Sequence, residues 1–305
     1  MSRFCSKSLL AYAVALKSCL SSPLNTCTVA RYSVGAGMQG GKEVIDGMTI
    51  SYVRAGTGPK TVLCLPGALG SAWTDFKPQL EQLDKSKFTI IAWDPPGYGF
   101  SRPPDRDFMG DFFHRDADTA LKLMKVLKLP KFSMLGWSDG GITAIILAAK
   151  YPLHIQKCVI WGANAYVLDE EIEMYKKIRD ISTWSEKMRA PLVKMYGEEY
   201  FRKTWEDWVD AFIRIHNQGG DICTKEAKLI QCPLFVLHGD MDPMVARAHP
   251  LFFLSEVQNC RTYNFPDGKH NIHLRYPEEF NKLVSEFLLT YVPGNQFQRI
   301  RGEPR

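Results

Sequence analysis

The sequence predicts an α/β protein: a mostly parallel central sheet, helices on both faces, and a helical cap inserted before the last two strands. Three observations carry that expectation. Short apolar runs at 61–66, 88–93, 132–135, 157–161 and 234–238 alternate with helical stretches, as strands buried on both faces do. The run at 132–135 leads directly into Gly136-Trp137-Ser138-Asp139-Gly140 and then a small-residue helix at 141–149. The alternation then breaks across 166–228, a charged and aromatic block with helical patterning and no strand.

The totals agree with a soluble globular chain. Its 305 residues are 45% hydrophobic and 23% charged, enough for a sizeable core. Of the net charge of +5, four bases and no acid belong to residues 1–41 (Arg3, Lys7, Lys17, Arg31), so the rest stands near neutrality at +1. No nucleic-acid footprint is expected from such a balance. Three of the eight cysteines lie before residue 42. The other five form no Cys-x-x-Cys pair, and Cys64 and Cys158 sit in apolar runs, which fits a reducing compartment.

Residues 1–41 read as a leader. Arg3, Lys7 and Lys17 share one side of a helical wheel, opposite Leu9, Ala13, Leu16 and Leu20. A basic, Ser-rich, acid-free amphipathic segment resembles a mitochondrial transit peptide. A secretory signal is the competitor, but Lys17 directly follows its apolar run at 9–16. No stretch reaches the roughly 20 apolar residues of a membrane span.

The folded body is expected at 42–165 and 229–292, with the cap at 166–228 and a polar tail at 293–305. Residues 42–58 alternate apolar and polar and read as an opening hairpin. Helices are expected at 73–84, at 111–128 with Phe112, Ala117, Ala120, Leu121, Met124 and Leu127 facing the core, at 246–257 and at 277–291. The last strand is expected at 261–265, before the loop Pro266-Asp267-Gly268-Lys269-His270. In the cap, Tyr175, Trp184, Tyr196, Tyr200, Phe201, Trp205 and Trp208 read first as cap core and only second as pocket lining.

The segment around Ser138 has the form of a nucleophile elbow, in which two glycines let a strand fold sharply back against a helix and lift a serine hydroxyl out of the sheet. A serine hydroxyl needs a base to take its proton and a third group to orient that base. Ser138, Asp242 and His270 follow in the order Ser…Asp…His, each in a loop after an expected strand. Such loops converge at the carboxyl edge of a parallel sheet. Asp240 is the rival of Asp242, which lies deeper in its loop and precedes Pro243. His273 is the rival of His270, and His238 reads as a strand-end structural residue. The histidines show no metal-ligand spacing, so no metal is expected. For the oxyanion, the Asp139 backbone N–H is one expected donor. Ala68, with Leu69 as second choice, is the other. The Asp139 side chain reads equally well as a solvated acid at a helix N-terminus or as an anchor for a cationic substrate.

These motifs resemble the α/β-hydrolase family over residues 42–291. Leu65-Pro66-Gly67-Ala68-Leu69-Gly70, Trp93-Asp94-Pro95-Pro96-Gly97-Tyr98-Gly99, Gly136-Trp137-Ser138-Asp139-Gly140-Gly141, Trp161-Gly162-Ala163-Asn164-Ala165-Tyr166 and Gly268-Lys269-His270-Asn271 look, more narrowly, like the biphenyl hydrolase-like, or valacyclovir hydrolase, family. That resemblance implies a mitochondrial, cofactor-free serine hydrolase of α-amino acid esters, including ester prodrugs, with homocysteine thiolactone as a suggested natural substrate. It implies Ser138, Asp242 and His270 as the triad and Asp139 as the carboxylate for the substrate amino group. Many members of the wider superfamily have His-Gly where this chain has Pro66-Gly67, a change that the oxyanion backbone survives. The expected partners are small-molecule esters, with no nucleic acid or membrane, acting on a monomer. Two alternatives remain: carbon–carbon bond hydrolysis of ring-cleavage products, as in bacterial relatives, and a hydrolase-fold binding protein without turnover. Dehalogenase and epoxide hydrolase chemistry would place an aspartate where Ser138 stands.

Overall fold

The computed structural model describes residues 32–35 and 37–290. Its strands are β1 (Tyr32–Gly35), β2 (Met38–Ile45), β3 (Met48–Ala55), β4 (Lys60–Leu65), β5 (Phe88–Trp93), β6 (Phe132–Trp137), β7 (Ile155–Trp161), β8 (Leu234–Gly239) and β9 (Cys260–Phe265). Among the described residues these form one sheet in the order β1-β2-β3-β5-β4-β6-β7-β8-β9. The β1–β2, β2–β3 and β3–β5 pairs are antiparallel, and every pair from β5 to β9 is parallel.

The apolar runs become central strands because each face needs its own apolar layer. In β4, Val62 and Cys64 face the layer built with α1 (Ala72–Gln82) and α10 (Pro277–Leu289). Leu63 and Leu65 face the layer built with α2 (Phe112–Val126) and α3 (Asp139–Lys150). A period of two along the strand, with both faces covered, removes the polar half of the usual alternation.

The sheet starts earlier than the sequence patterning indicates. The boundary after residue 41 falls inside β2, whose whole length from Met38 to Ile45 pairs with β3, and β1 precedes it. Gly40 and Gly41 carry no side chain to display a period of two, yet their backbones pair with Val53 and Tyr52. The expected leader up to residue 31 and the expected tail from 293 lie outside the described residues. Among the described residues no helix is long and apolar enough to cross a membrane.

The block between β7 and β8 is helical: α4 (Asp169–Lys177), a 3-10 turn at Ile181–Thr183, α5 (Glu186–Tyr196), α6 (Glu198–Asn217) and α7 (Thr224–Ala227). Its two ends are stitched together where it leaves and rejoins the core. Tyr166 bridges Asp221, and the N–H groups of Ile222 and Cys223 donate to Ala165 O. After β8 come α8 (Ala248–Glu256) and, beyond β9, the short α9 (Ile272–Arg275).

Strand order also determines where chemistry can sit. The chain leaves β4 toward β5 on one side and leaves β6 toward β7 on the other, although β4 and β6 are neighbours. Their carboxyl-end loops therefore diverge and open a crevice, the usual ligand site of such sheets. The loop after β4 and Ser138 after β6 both lie there.

Candidate active site

Ser138 caps α3 with φ 55° and ψ −123°, a strained conformation for a residue with a side chain. The surrounding contacts hold it there. Ser138 N–H donates to Trp161 O at 2.9 Å, and Ser138 O accepts from the N–H groups of Gly141 and Ile142 at 2.8 and 3.1 Å. Both elbow glycines are sterically required. A Cβ at Gly136 would lie 2.5 Å from Gly140 O, and one at Gly140 would lie 2.0 Å from Leu65 O.

The loops after β8 and β9 bring Asp242 to His270. His270 Nδ1 lies 2.9 Å from Asp242 Oδ2, while Asp242 Oδ1 accepts from the N–H groups of Met244 and Val245 at 2.8 and 3.2 Å. Burial pushes the Asp242 carboxyl upward, but the facing imidazole and the Met244 N–H outweigh it and hold the group below the usual carboxylate range. An ionised Asp242 keeps the His270 proton on Nδ1 and leaves Nε2 to accept one. Gly162 makes room for the ring: its φ is 58°, and a Cβ there would lie 2.8 Å from His270 Cε1. Trp137 Nε1 donates to His270 O at 2.9 Å, tying the elbow to the histidine loop. Ser138 Oγ and His270 make no hydrogen bond among the described residues; such contacts often tighten only with substrate in place.

The rivals sit elsewhere. Asp240 is exposed and accepts from Asn264 Nδ2 at 2.7 Å. His273 is fully buried, accepts from Trp161 Nε1 at 2.9 Å, and packs against Trp137. Burial pushes its pKa down to about 3. His238 is buried within β8, which lowers its pKa as well.

The expected oxyanion donors belong to two segments that meet at the elbow. Asp139 N–H is the first of α3 and has no hydrogen-bond partner among the described residues. In the loop after β4, a Cβ at Gly67 would approach within 3.2 Å of Ser138 Cβ, so this loop lies against the elbow. Ala68 is partly exposed and its N–H is likewise unpartnered among the described residues. Leu69 is buried with φ 58°. The loop is held from below and above. Gly67 N–H donates to Asp75 Oδ2 at 3.0 Å, and Tyr196 Oη of the cap donates to Leu69 O at 2.8 Å.

Asp139 is only 6% exposed. Its Oδ2 accepts from Trp208 Nε1 of α6 at 2.9 Å, while Oδ1 has no hydrogen-bond partner among the described residues. Burial raises its pKa to about 7, against the opposing pull of the Trp208 hydrogen bond and of Arg106. Arg106 itself is spoken for by a buried bidentate pair with Asp116, at 2.8 and 2.6 Å. Asp139, Arg106, Asp116 and Tyr98 border a small polar cavity of about 10 Å³ beside Gly140.

Sequence reading therefore named the residues the fold brings together, but not their supports. Trp208 appears in the sequence as one cap aromatic among nine. Nothing local marks it as the donor to Asp139. Tyr196, the Arg106–Asp116 pair and Trp137 were missed as supports for the same reason: each acts on a residue at least ten positions away or through a backbone atom. Among the described residues no group of three or more His, Cys, Asp or Glu side chains could hold a metal ion.

Comparison with known proteins agrees with this architecture. Residues 60–192 match the family model for the alpha/beta hydrolase fold. The chain is 52% identical over 255 residues to Serine hydrolase BPHL of Mus musculus and to that of Homo sapiens, covering 83% of this chain and 88% of each relative. It is 25% identical to a 2-hydroxy-6-oxononadienedioate/2-hydroxy-6-oxononatrienedioate hydrolase of Pseudomonas putida, over 79% of this chain and 92% of that one. Among solved structures, a meta-cleavage product hydrolase from Pseudomonas fluorescens IP01 superposes with a TM-score of 0.67 at 20% identity, covering 81% of this chain and 96% of the other.

Proposed function

The chain belongs to the biphenyl hydrolase-like family of α/β-hydrolase-fold serine hydrolases, and on that premise we propose that it cleaves esters of α-amino acids through an acyl-enzyme on Ser138. The observation that carries the substrate class is the Asp139 carboxylate, next to the nucleophile, nearly buried, with one oxygen bound by Trp208 and the other unpartnered. An ammonium about 4 Å away would gain on the order of 4 kcal/mol before desolvation, at an effective dielectric near 20. A third of that is about a tenfold preference. Amino acid ester prodrugs and homocysteine thiolactone carry that ammonium next to the scissile carbonyl.

In the proposed reaction His270 Nε2 takes the Ser138 proton as Oγ attacks the ester carbonyl. Asp242 orients the imidazole and stabilises its charged form. The oxyanion is held by the N–H of Asp139 and an N–H of the Ala68-Leu69 segment, each such donor contributing about 3–4 kcal/mol to the transition state. The alcohol leaves with the proton from His270. Water then attacks the acyl-enzyme with His270 again as base, and the free amino acid departs. No cofactor or metal enters these steps.

The Pseudomonas putida relative is named for a dioate substrate. Asp139 would repel such an anion at the very point where it must bind, which disfavours that reading here. We place the enzyme in mitochondria, on the basis of the basic, acid-free first 31 residues that precede the sheet.

The test is a panel of amino acid esters, each paired with its N-acetylated twin. Wild type should prefer the free amine by tenfold or more, Asp139→Ala should lose that preference, and Ser138→Ala should abolish turnover of both. Equal discrimination by wild type and Asp139→Ala would sink the anchor role, and activity surviving in Ser138→Ala would sink the nucleophile.

A further inference from the structure

The cap helix α4 carries a buried carboxylate that takes no part in the steps above. Glu171 is 4% exposed and collects three donors. Its Oε2 accepts from Leu168 N–H at 3.1 Å, and its Oε1 accepts from Ala246 N–H at 3.0 Å and faces His249 Nε2 at 2.8 Å. His249, at the start of α8, is fully buried, and its Nδ1 accepts from Ala165 N–H at 3.3 Å. That bond leaves Nε2 to carry the proton given to Glu171. One turn further along α4, Tyr175 Oη donates to Met244 O at 3.1 Å.

These contacts converge on one short segment. Residues 244–246 receive a bond from Tyr175 and give one to Glu171. The N–H groups of Met244 and Val245 are the two donors to Asp242 Oδ1. Unbroken bonding thus runs from Ala165 through His249, Glu171 and the 244–246 backbone to Asp242 and on to His270. A general cap fastening could use any of the core's loops. This one grips the loop that aims the carboxylate of the triad, and it does so with a charged group whose burial is costly without its full set of donors.

We propose that Glu171, held by His249 and aided by Tyr175, is a positioning residue that sets the orientation of Asp242 and thereby of the His270 imidazole. The proposal rests on the triad reading. It makes the cap part of the catalytic machinery, because removing Glu171 from α4 releases the Asp242 loop without touching the pocket. Misplacements of about 1 Å at such a group cost up to about a hundredfold in rate.

The experiment is a cycle between Glu171→Ala and Asp242→Asn in the full-length chain. It reads kcat and KM on an amino acid ester, and the rate of Ser138 labelling by a fluorophosphonate. Glu171→Ala should lower kcat and labelling about tenfold with KM within twofold of wild type. It should lower neither further when Asp242 is already Asn. Glu171→Gln, which keeps an acceptor for Ala246 and His249, should recover most of the loss. If Glu171→Ala does not fold, Tyr175→Phe in the same cycle decides the matter, since its ring remains to pack against Trp208 and Phe212. A loss equal in both backgrounds, or one carried by KM, overturns the proposal and leaves a cap fastening only. Full activity in Asp242→Asn alone overturns the triad reading instead, and the two failures are thus separable.

Discussion

At Asp139 binding and stability pull in opposite directions. Burial raises its pKa from 3.8 to about 7, so the folded protein favours the neutral acid. A carboxyl whose folded pKa exceeds its unfolded one opposes folding increasingly as pH rises through that interval. Asp75, raised to about 7, and Asp94, raised to about 6, act with the same sign just behind the oxyanion loop. On the proposed reading this cost has a use, since only the ionised form of Asp139 can hold an ammonium. Two outcomes are expected. The ratio of kcat/KM for a free-amine ester to that for its N-acetyl twin should fall as pH drops below about 7. The His270 dependence, common to both substrates, cancels in that ratio. Asp139→Asn should be more thermostable than wild type at pH 8, with the gain shrinking toward pH 5. A flat ratio between pH 5.5 and 7 would show that Asp139 is not the titrating anchor.

At the scale of elements, the site is made by how strands end. β4, β6, β7, β8 and β9 run parallel, so their carboxyl-end loops share one rim. Each loop then has a steric task. The loop after β6 is drawn tight by Gly136 and Gly140. The loop after β7 turns aside at Gly162, and the imidazole from the loop after β9 occupies the space a side chain there would need. Gly162→Ala should therefore displace His270 as well as strain a φ of 58°. Turnover should fall at least tenfold, more than any loss of folded protein explains. Labelling of Ser138 by a fluorophosphonate, normalised to folded fraction from circular dichroism, checks this. Labelling at the wild-type rate would mean the ring tolerates the methyl group.

At the scale of the molecule, the cap is joined to the core by hydrogen bonds aimed at functional loops rather than by apolar packing alone. Trp208 reaches Asp139, Tyr196 reaches Leu69 and receives Gly99 N–H, and Tyr200 receives Arg106 N–H while donating to Gly97 O. Each such bond is worth about 1 kcal/mol net. Together they give the cap a single seating over the crevice. Residues 1–31, ahead of the sheet, bear on where the whole chain goes. Fused to a fluorescent protein, they should direct it to mitochondria. Arg3, Lys7 and Lys17 changed together to Glu should abolish that import. A diffuse or secretory signal from the unmodified fusion would refute the assignment.

Sequence by itself determined the strand and helix order, the elbow at Ser138 and the placing of Ser138, Asp242 and His270 in loops that follow strands of one parallel sheet. All three follow from local rules: apolar period, glycine at a tight turn, and the shared rim of a parallel sheet. It could not show where the sheet begins, because glycines at 40 and 41 have no pattern to read while their backbones still pair. Nor could it separate Asp242 from Asp240 except by position in a loop; the structure does so by turning one carboxylate to His270 and the other to Asn264. Asp139 and Leu69 find their partners on cap helices 69 and 127 residues away in the chain, and Glu171 of the cap finds Ala246 and His249 in the core, 75 and 78 residues away. Such partners are chosen by packing in three dimensions, and only the folded molecule holds that information.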